Sequence, residues 1–173
     1  YGADTVRLYT LFMGPPEKDV EWNDQAVEGC YRFLGRFWRL ATFVISEGKS
    51  DSRFKLAEEG QVSAEDLERH LHLAIKKVTD DLEGDFHFNT AVASIMELLN
   101  SAYQFRPESP SDWKLMKEIV KNMTLLLAPF VPHISEELWR TMGEKKSVFQ
   151  SRWPAFDASR LKQEEIEIAV QVN

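Results

Sequence analysis

Arg32, Arg36 and Arg39 follow one another at spacings of four and three residues within the run CYRFLGRFWRL. On a helix, at about 100° per residue, they fall in one narrow arc on the side away from Val27 and Leu34. Guanidinium forks match the oxygens of phosphates and of carboxylates alike. The arc therefore offers contact with an RNA backbone or, on spacing alone the plainer reading, a solvated or ion-paired helix face.

No other residues compete with that arc for chemistry. His70, His72, His87 and His133 include no pair at the i, i+4 spacing of a helical metal site, and the single cysteine excludes an intrachain disulfide. His133 follows Pro132 at a helix start, where capping or an interhelix hydrogen bond is the expected use. Cys30 falls on the apolar side of its helix and reads as a packed, inert thiol. The acids Asp80, Asp81, Glu83 and Asp85 read as a solvated helix end. No glycine-rich phosphate loop occurs, because Gly14 precedes two prolines and marks a turn. We expect no catalytic residue and no metal ligand in this stretch.

The elements that position the arginines follow from apolar periodicity. The 173 residues, 43% of them hydrophobic, suffice for one sizeable core. ADTVRLYTLFM suits a short helix ending before GPPEKD. Asn23 or Asp24 can cap a long helix running to about Gly48, with Val27, Tyr31, Leu34, Trp38, Ala41 and Ile45 as its expected inner stripe. The polar stretch from Glu47 to Val62 reads as a surface loop. Ser63 and Asp66 open a second long helix that buries Leu67, Leu71, Ala74, Ile75 and Val78. A third, capped by Asn89, carries Val92, Ile95, Met96, Leu99 and Tyr103, and a fourth from about Ser111 carries Trp113, Met116, Val120, Met123 and Leu127.

LLLAPFVPHISEELW then places two prolines three residues apart, so two helices must meet at a corner, the second packing Ile134, Leu138 and Met142. Past Gly143 we expect a crossing segment anchored by Phe149, Trp153 and Phe156. The alternation of Ile166, Ile168, Val170 and Val172 begins a β-strand. The expectation is an all-α bundle of four to five main helices with the start of a C-terminal strand. The start at Tyr1 and the stop inside an alternating pattern lead us to expect a segment cut from a longer chain. No apolar run approaches the roughly 20 residues of a membrane span, and a reducing, cytoplasmic setting is expected. The net charge of −7 argues against nonspecific coating of nucleic acid, while allowing a local basic face.

Read together, YGADTVRLYTLFMGPPEKDVEWNDQAVEGCYRFLGRFWRL, FNTAVASIMELLN, LLLAPFVPHISEELW, WPAFD and VQVN resemble the leucyl-tRNA synthetase family of class I aminoacyl-tRNA synthetases, in its bacterial form. The GADTVR helix and the APFVPHISEELW corner are shared with the valyl and isoleucyl branch; PPEKDVEW joined to VEGCYRFLGRFWRL resembles the leucyl member. The resemblance implies a junction after the catalytic domain over 1–24, a helical anticodon-binding-type bundle over 25–143, a crossing segment over 144–165, and the first strand of a truncated domain over 166–173. The family's HIGH-like and KMSKS-like ATP signatures are missing from these residues. ATP with Mg is thus implied for the parent enzyme, and no cofactor for this stretch.

The implied partners are tRNA(Leu) and the catalytic domain of the same chain, with no membrane and a monomeric parent. Within that resemblance, tRNA backbone contact by Arg32, Arg36 and Arg39 stands level with a structural role. Arg7 and Trp22 are implied junction residues, Arg7 through an interdomain salt bridge. Two other readings stay open: a free-standing helical protein-interaction module, and the equivalent domain of a valyl or isoleucyl enzyme.

Overall fold

The computed structural model describes residues 1–14, 21–49, 56, 60–84 and 86–161. Six α-helices occur among them: α1 (Ala3–Phe12), α2 (Asp24–Ile45), α3 (Ala64–Glu83), α4 (Phe88–Gln104), α5 (Pro110–Leu127) and α6 (Pro132–Thr141). Two short 3₁₀ turns follow, Val148–Gln150 and Ala158–Leu161. The expected all-α bundle is observed, with four long helices and the short α1 and α6. The strand expected over 166–173 lies outside the described residues, as does much of the loop expected from Glu47 to Val62.

Helices α3 and α4 form the most extensive pair, α5 packs against α2, α3 and α4, and α1 rests on α2, α4 and α6. The shared core takes the predicted faces of α3 and α5 nearly as expected: Leu67, Leu71, Ala74, Ile75, Val78, Met116, Val120, Met123 and Leu127 are all buried. Phe130, Val131 and Leu138 join them at the proline corner. Here the chain turns after Leu127 and restarts with Pro132 at the first helical position, where its missing N–H costs nothing.

Helix α2 differs from expectation in phase. Its buried residues are Val27, Cys30, Phe33, Leu34, Phe37, Leu40, Ala41 and Val44, whereas Tyr31 is 51% and Trp38 37% exposed. The apolar and aromatic residues of α2 span more than one stripe, and the stripe richer in phenylalanine and leucine takes the interior. Asn23 is the N-cap, its side chain accepting from the Ala26 N–H at 3.0 Å.

Two other starts also differ. Helix α4 begins at Phe88, after His87, rather than under an Asn89 cap. Helix α5 begins earlier than expected, at a complete capping box: Ser109 Oγ accepts from the Asp112 N–H at 3.2 Å, and Asp112 accepts from the Ser109 N–H at 2.9 Å. The Glu108 and Ser109 N–H groups that donate to the Asp112 carboxylate, with the Ser109 hydroxyl, hold it below the usual carboxylate range. Ser109→Ala removes one half of the box and should cost about 1 kcal/mol, read as a lowered midpoint in urea.

The crossing segment is held mainly by polar contacts. Phe149 is exposed, and Trp153 and Phe156 are more than a third exposed. Trp153 Nε1 donates to Thr79 Oγ1 at 2.8 Å, the Asp157 N–H donates to His72 Nδ1 at 3.1 Å, and Arg160 pairs with Glu68 at 2.8 Å. Glu136 of α6 accepts from the Val148 N–H and Ser147 Oγ, both at 2.9 Å, which lowers its carboxyl.

Candidate nucleic-acid interface

Arg32 and Arg39 are exposed on α2, while Arg36 is half-buried beside the Phe33, Phe37 and Leu40 stripe that fixes the helix against the bundle. Arg32, with its side chain 66% exposed, pairs with Glu28 at 3.0 Å one turn away. An exposed i, i+4 pair contributes only about 0.3–0.5 kcal/mol, so a phosphate oxygen can replace the glutamate at little cost.

Arg36 is held more firmly. Its Nη2 donates to Asn100 Oδ1 at 2.8 Å, and the guanidinium lies 4.8 Å from the centroid of the Tyr103 ring. Tyr103 in turn donates its hydroxyl to the Arg36 carbonyl at 2.8 Å. Burial raises the Tyr103 phenol, against the opposing charges of Arg39 and Arg36, so it remains a neutral donor. The result is a guanidinium oriented by two residues of α4.

Arg39 is exposed on the same face but borders a different groove. Arg32 and Arg36 line one of 440 Å³, together with residues of α1 and α4. Arg39 lines another of 540 Å³, with Tyr31, Gly35 and Trp38 of α2 and the starts of α1 and α6. The structure thus gathers all three on one helix face and divides them between two depressions.

The two residues expected at a junction, Arg7 and Trp22, lie in the middle of α1 and in the segment before α2. Arg7 Nη2 donates to the Pro129 carbonyl at 3.3 Å, so within the described residues it contacts the proline corner. Trp22 is exposed, donates from Nε1 to Asp24 Oδ1 at 2.8 Å, and meets Tyr9 edge to face with centroids 4.9 Å apart. Tyr9 fixes this turn: its hydroxyl donates to the Glu21 carbonyl at 3.1 Å and accepts from the Asn23 N–H at 2.9 Å.

Sequence reasoning missed Asp4. This residue of α1 is 6% exposed, and its Oδ2 accepts from the Ile134 N–H at 2.7 Å, while Oδ1 lies 2.7 Å from His133 Nδ1. Helix α6 has no side-chain cap of its own, since Val131 precedes Pro132. The carboxylate of α1 supplies that cap from 130 residues away in sequence. The absence of Ser, Thr, Asp or Asn before Pro132 was the available signal that the cap must come from elsewhere. Asp4→Ala should cost about 1–3 kcal/mol through the stranded Ile134 N–H. Asp4→Asn, which keeps an acceptor, should cost less; equal midpoints for both variants and the parent would contradict the cap.

The remaining candidates are placed structurally. Cys30 is buried, and burial pushes its thiol up, away from a reactive thiolate. Asp81, expected at a solvated end, is instead 5% exposed, with Lys77 at 2.6 Å and Thr90 Oγ1 donating at 2.6 Å. It ties α3 to the start of α4. Among the described residues, no group of three or more His, Cys, Asp or Glu is arranged to hold a metal ion.

A family profile described as the anticodon-binding domain of tRNA ligase matches residues 65–173. A leucine–tRNA ligase of Pseudothermotoga lettingae is 49% identical over the whole chain, which covers 21% of that relative. A leucine–tRNA ligase of Geotalea daltonii is 47% identical, with the same two coverages. The chain therefore spans about a fifth of the length of the curated relatives it matches. Among solved structures, the ternary complex of Agrobacterium radiobacter K84 AgnB2 LeuRS with tRNA and LeuAMS is similar with a TM-score of 0.73 and 33% identity. That likeness covers 93% of this chain and 20% of that one. With the profile spanning more than half of its residues, the chain belongs to the anticodon-binding domain family of tRNA ligases.

Proposed function

We infer that this chain is the tRNA-facing helical part of a leucine–tRNA ligase, and that the whole protein uses ATP to attach leucine to tRNA(Leu). The observation that carries this reading is the 49% identity to a leucine–tRNA ligase along the full chain. It favours the leucyl reading over a valyl or isoleucyl one, and the family match disfavours a free-standing protein-interaction module. The neighbouring LeuRS structure, solved with tRNA, supports tRNA as the partner.

In this reading, Arg32, Arg36 and Arg39 contact phosphates of the tRNA body, which positions the RNA without reading its sequence. Residues 1–24 form the junction to the catalytic part of the same chain, with Arg7 and Trp22 on that side, and the bundle extends over 25–143. The HIGH-like and KMSKS-like ATP signatures of the family are missing from these residues, and ATP with Mg is proposed for the whole protein. Among the described residues, no helix is long and apolar enough to cross a membrane. A cytoplasmic, monomeric parent is part of the proposal.

The test is charging by the full-length protein. Purified enzyme with ATP and Mg should attach leucine to tRNA(Leu), and valine or isoleucine to their own tRNAs at background rates. Preferential charging with valine or isoleucine would overturn the leucyl assignment.

A further inference from the structure

Two glycines lie inside α2, where glycine is destabilising relative to alanine. Gly29 and Gly35 flank the arginine arc on its two sides, one in each groove. At Gly35 an added Cβ would stand 3.4 Å from Arg39 Nη1, an ordinary contact. At Gly29 it would meet nothing within 4 Å among the described residues, so none of their atoms explains the missing side chain. A helix glycine with open space above it permits another molecule to approach the backbone closely.

The groove over Gly29 has the chemistry of one nucleotide. Phe12 of α1 and Met96 of α4 line it with apolar surface, and Arg32 and Arg36 stand beside that surface. Its 440 Å³ lies within the range of about 300–1,000 Å³ typical of ligand clefts. Arg36, with its guanidinium carbon 4.8 Å from the Tyr103 centroid and its Nη2 on Asn100, presents a planar guanidinium to the groove. Unstacked RNA bases pack on such planes and on apolar side chains. Asn100 accepts from Arg36 through Oδ1, and its Nδ2 donors have no partner among the described residues. They can meet a carbonyl on a base edge.

We propose that this groove receives one unpaired nucleotide of the RNA bound by the arginine face, with the base over Gly29 between Phe12 and Met96 and its phosphate on Arg32 and Arg36. The proposal rests on the tRNA-binding reading above. It adds a base-accepting site to a surface otherwise limited to backbone contact, and it requires that the RNA present an extruded or loop nucleotide there.

The full-length protein carrying Gly29→Leu tests it, with Gly29→Ala beside it and two RNA probes, a tRNA(Leu) transcript and a fully paired duplex of similar length. Leucine fills the groove and removes no charge. Gly29→Leu should weaken tRNA binding about tenfold, the scale of losing one base contact. Duplex binding, the salt slope and the melting temperature should stay at parental values or above, and Gly29→Ala should bind tRNA within about twofold of the parent. Parental tRNA binding by Gly29→Leu overturns the proposal. In that case, a loss caused by charge reversal at the three arginines keeps the tRNA reading, whereas no loss there removes it as well. Equal weakening toward both RNAs also overturns it, as does a lowered melting temperature, which would show that the protein's own chain fills the groove.

Discussion

Phe130→Ala is expected to destabilise the bundle by about 3–5 kcal/mol, the range for emptying a fully packed aromatic site. Phe130 is 1% exposed and meets the Phe88 ring edge to face, with centroids 6.2 Å apart, where the proline corner closes onto the start of α4. Its backbone is fixed as well, since the Phe130 and Val131 N–H groups both donate to the Leu127 carbonyl at 2.9 Å. The surrounding structure therefore has little freedom to collapse into the cavity, which places the cost at the upper end. Phe130→Leu should recover more than half of the loss. Equilibrium unfolding in urea would check both, and a Phe130→Ala midpoint within error of the parent would mean that the corner is not part of the cooperative core.

The second large effect is on RNA binding and follows from the geometry of α2. Arg32, Arg36 and Arg39 share one arc of α2, Arg32 and Arg39 exposed and Arg36 half-buried, and the pairs that hold Arg32 and Arg36 are surface contacts or orienting contacts. Replacing an arginine by glutamate removes a charge-assisted contact and adds repulsion, so each should weaken tRNA binding by about tenfold or more. Arg32→Glu also faces Glu28 across one helical turn, and its local cost to helix stability is limited to a few tenths of a kcal/mol. Arg36→Glu gives up the stack on Tyr103 and the Asn100 bond, so its effect on stability should exceed that of Arg32→Glu.

The parts of this fold that were legible in the sequence are those governed by short-range rules. Helix starts at Asn23 and Ser63 follow from side chains that accept from backbone N–H groups three residues on. The buried faces of α3 and α5 follow from a single apolar stripe, and the corner follows from Pro129 and Pro132. Helix α2 was harder, because Tyr31 and Trp38 are large enough to mimic core residues while lying on its flank. Periodicity could not choose between two overlapping stripes.

What the sequence concealed depends on residues far apart in the chain. Asp4 reads as an ordinary acid in the first turn of α1, and only folding brings its carboxylate to the N–H of Ile134. The arginine arc was visible from spacing, yet nothing in the spacing showed that Tyr103 and Asn100 would orient Arg36. The open space above Gly29 is likewise a property of the folded bundle, invisible in the residues around it.

The most direct measurement is the salt dependence of tRNA(Leu) binding by the full-length protein, compared with its Arg32→Glu, Arg36→Glu, Arg39→Glu triple variant at matched helicity. If the α2 face holds the tRNA backbone, the triple variant loses affinity and its plot of log K against log salt flattens by about 0.7–0.9 for each phosphate contact removed. An unchanged affinity with an unchanged slope would contradict the account and leave the three arginines as a solvated helix face.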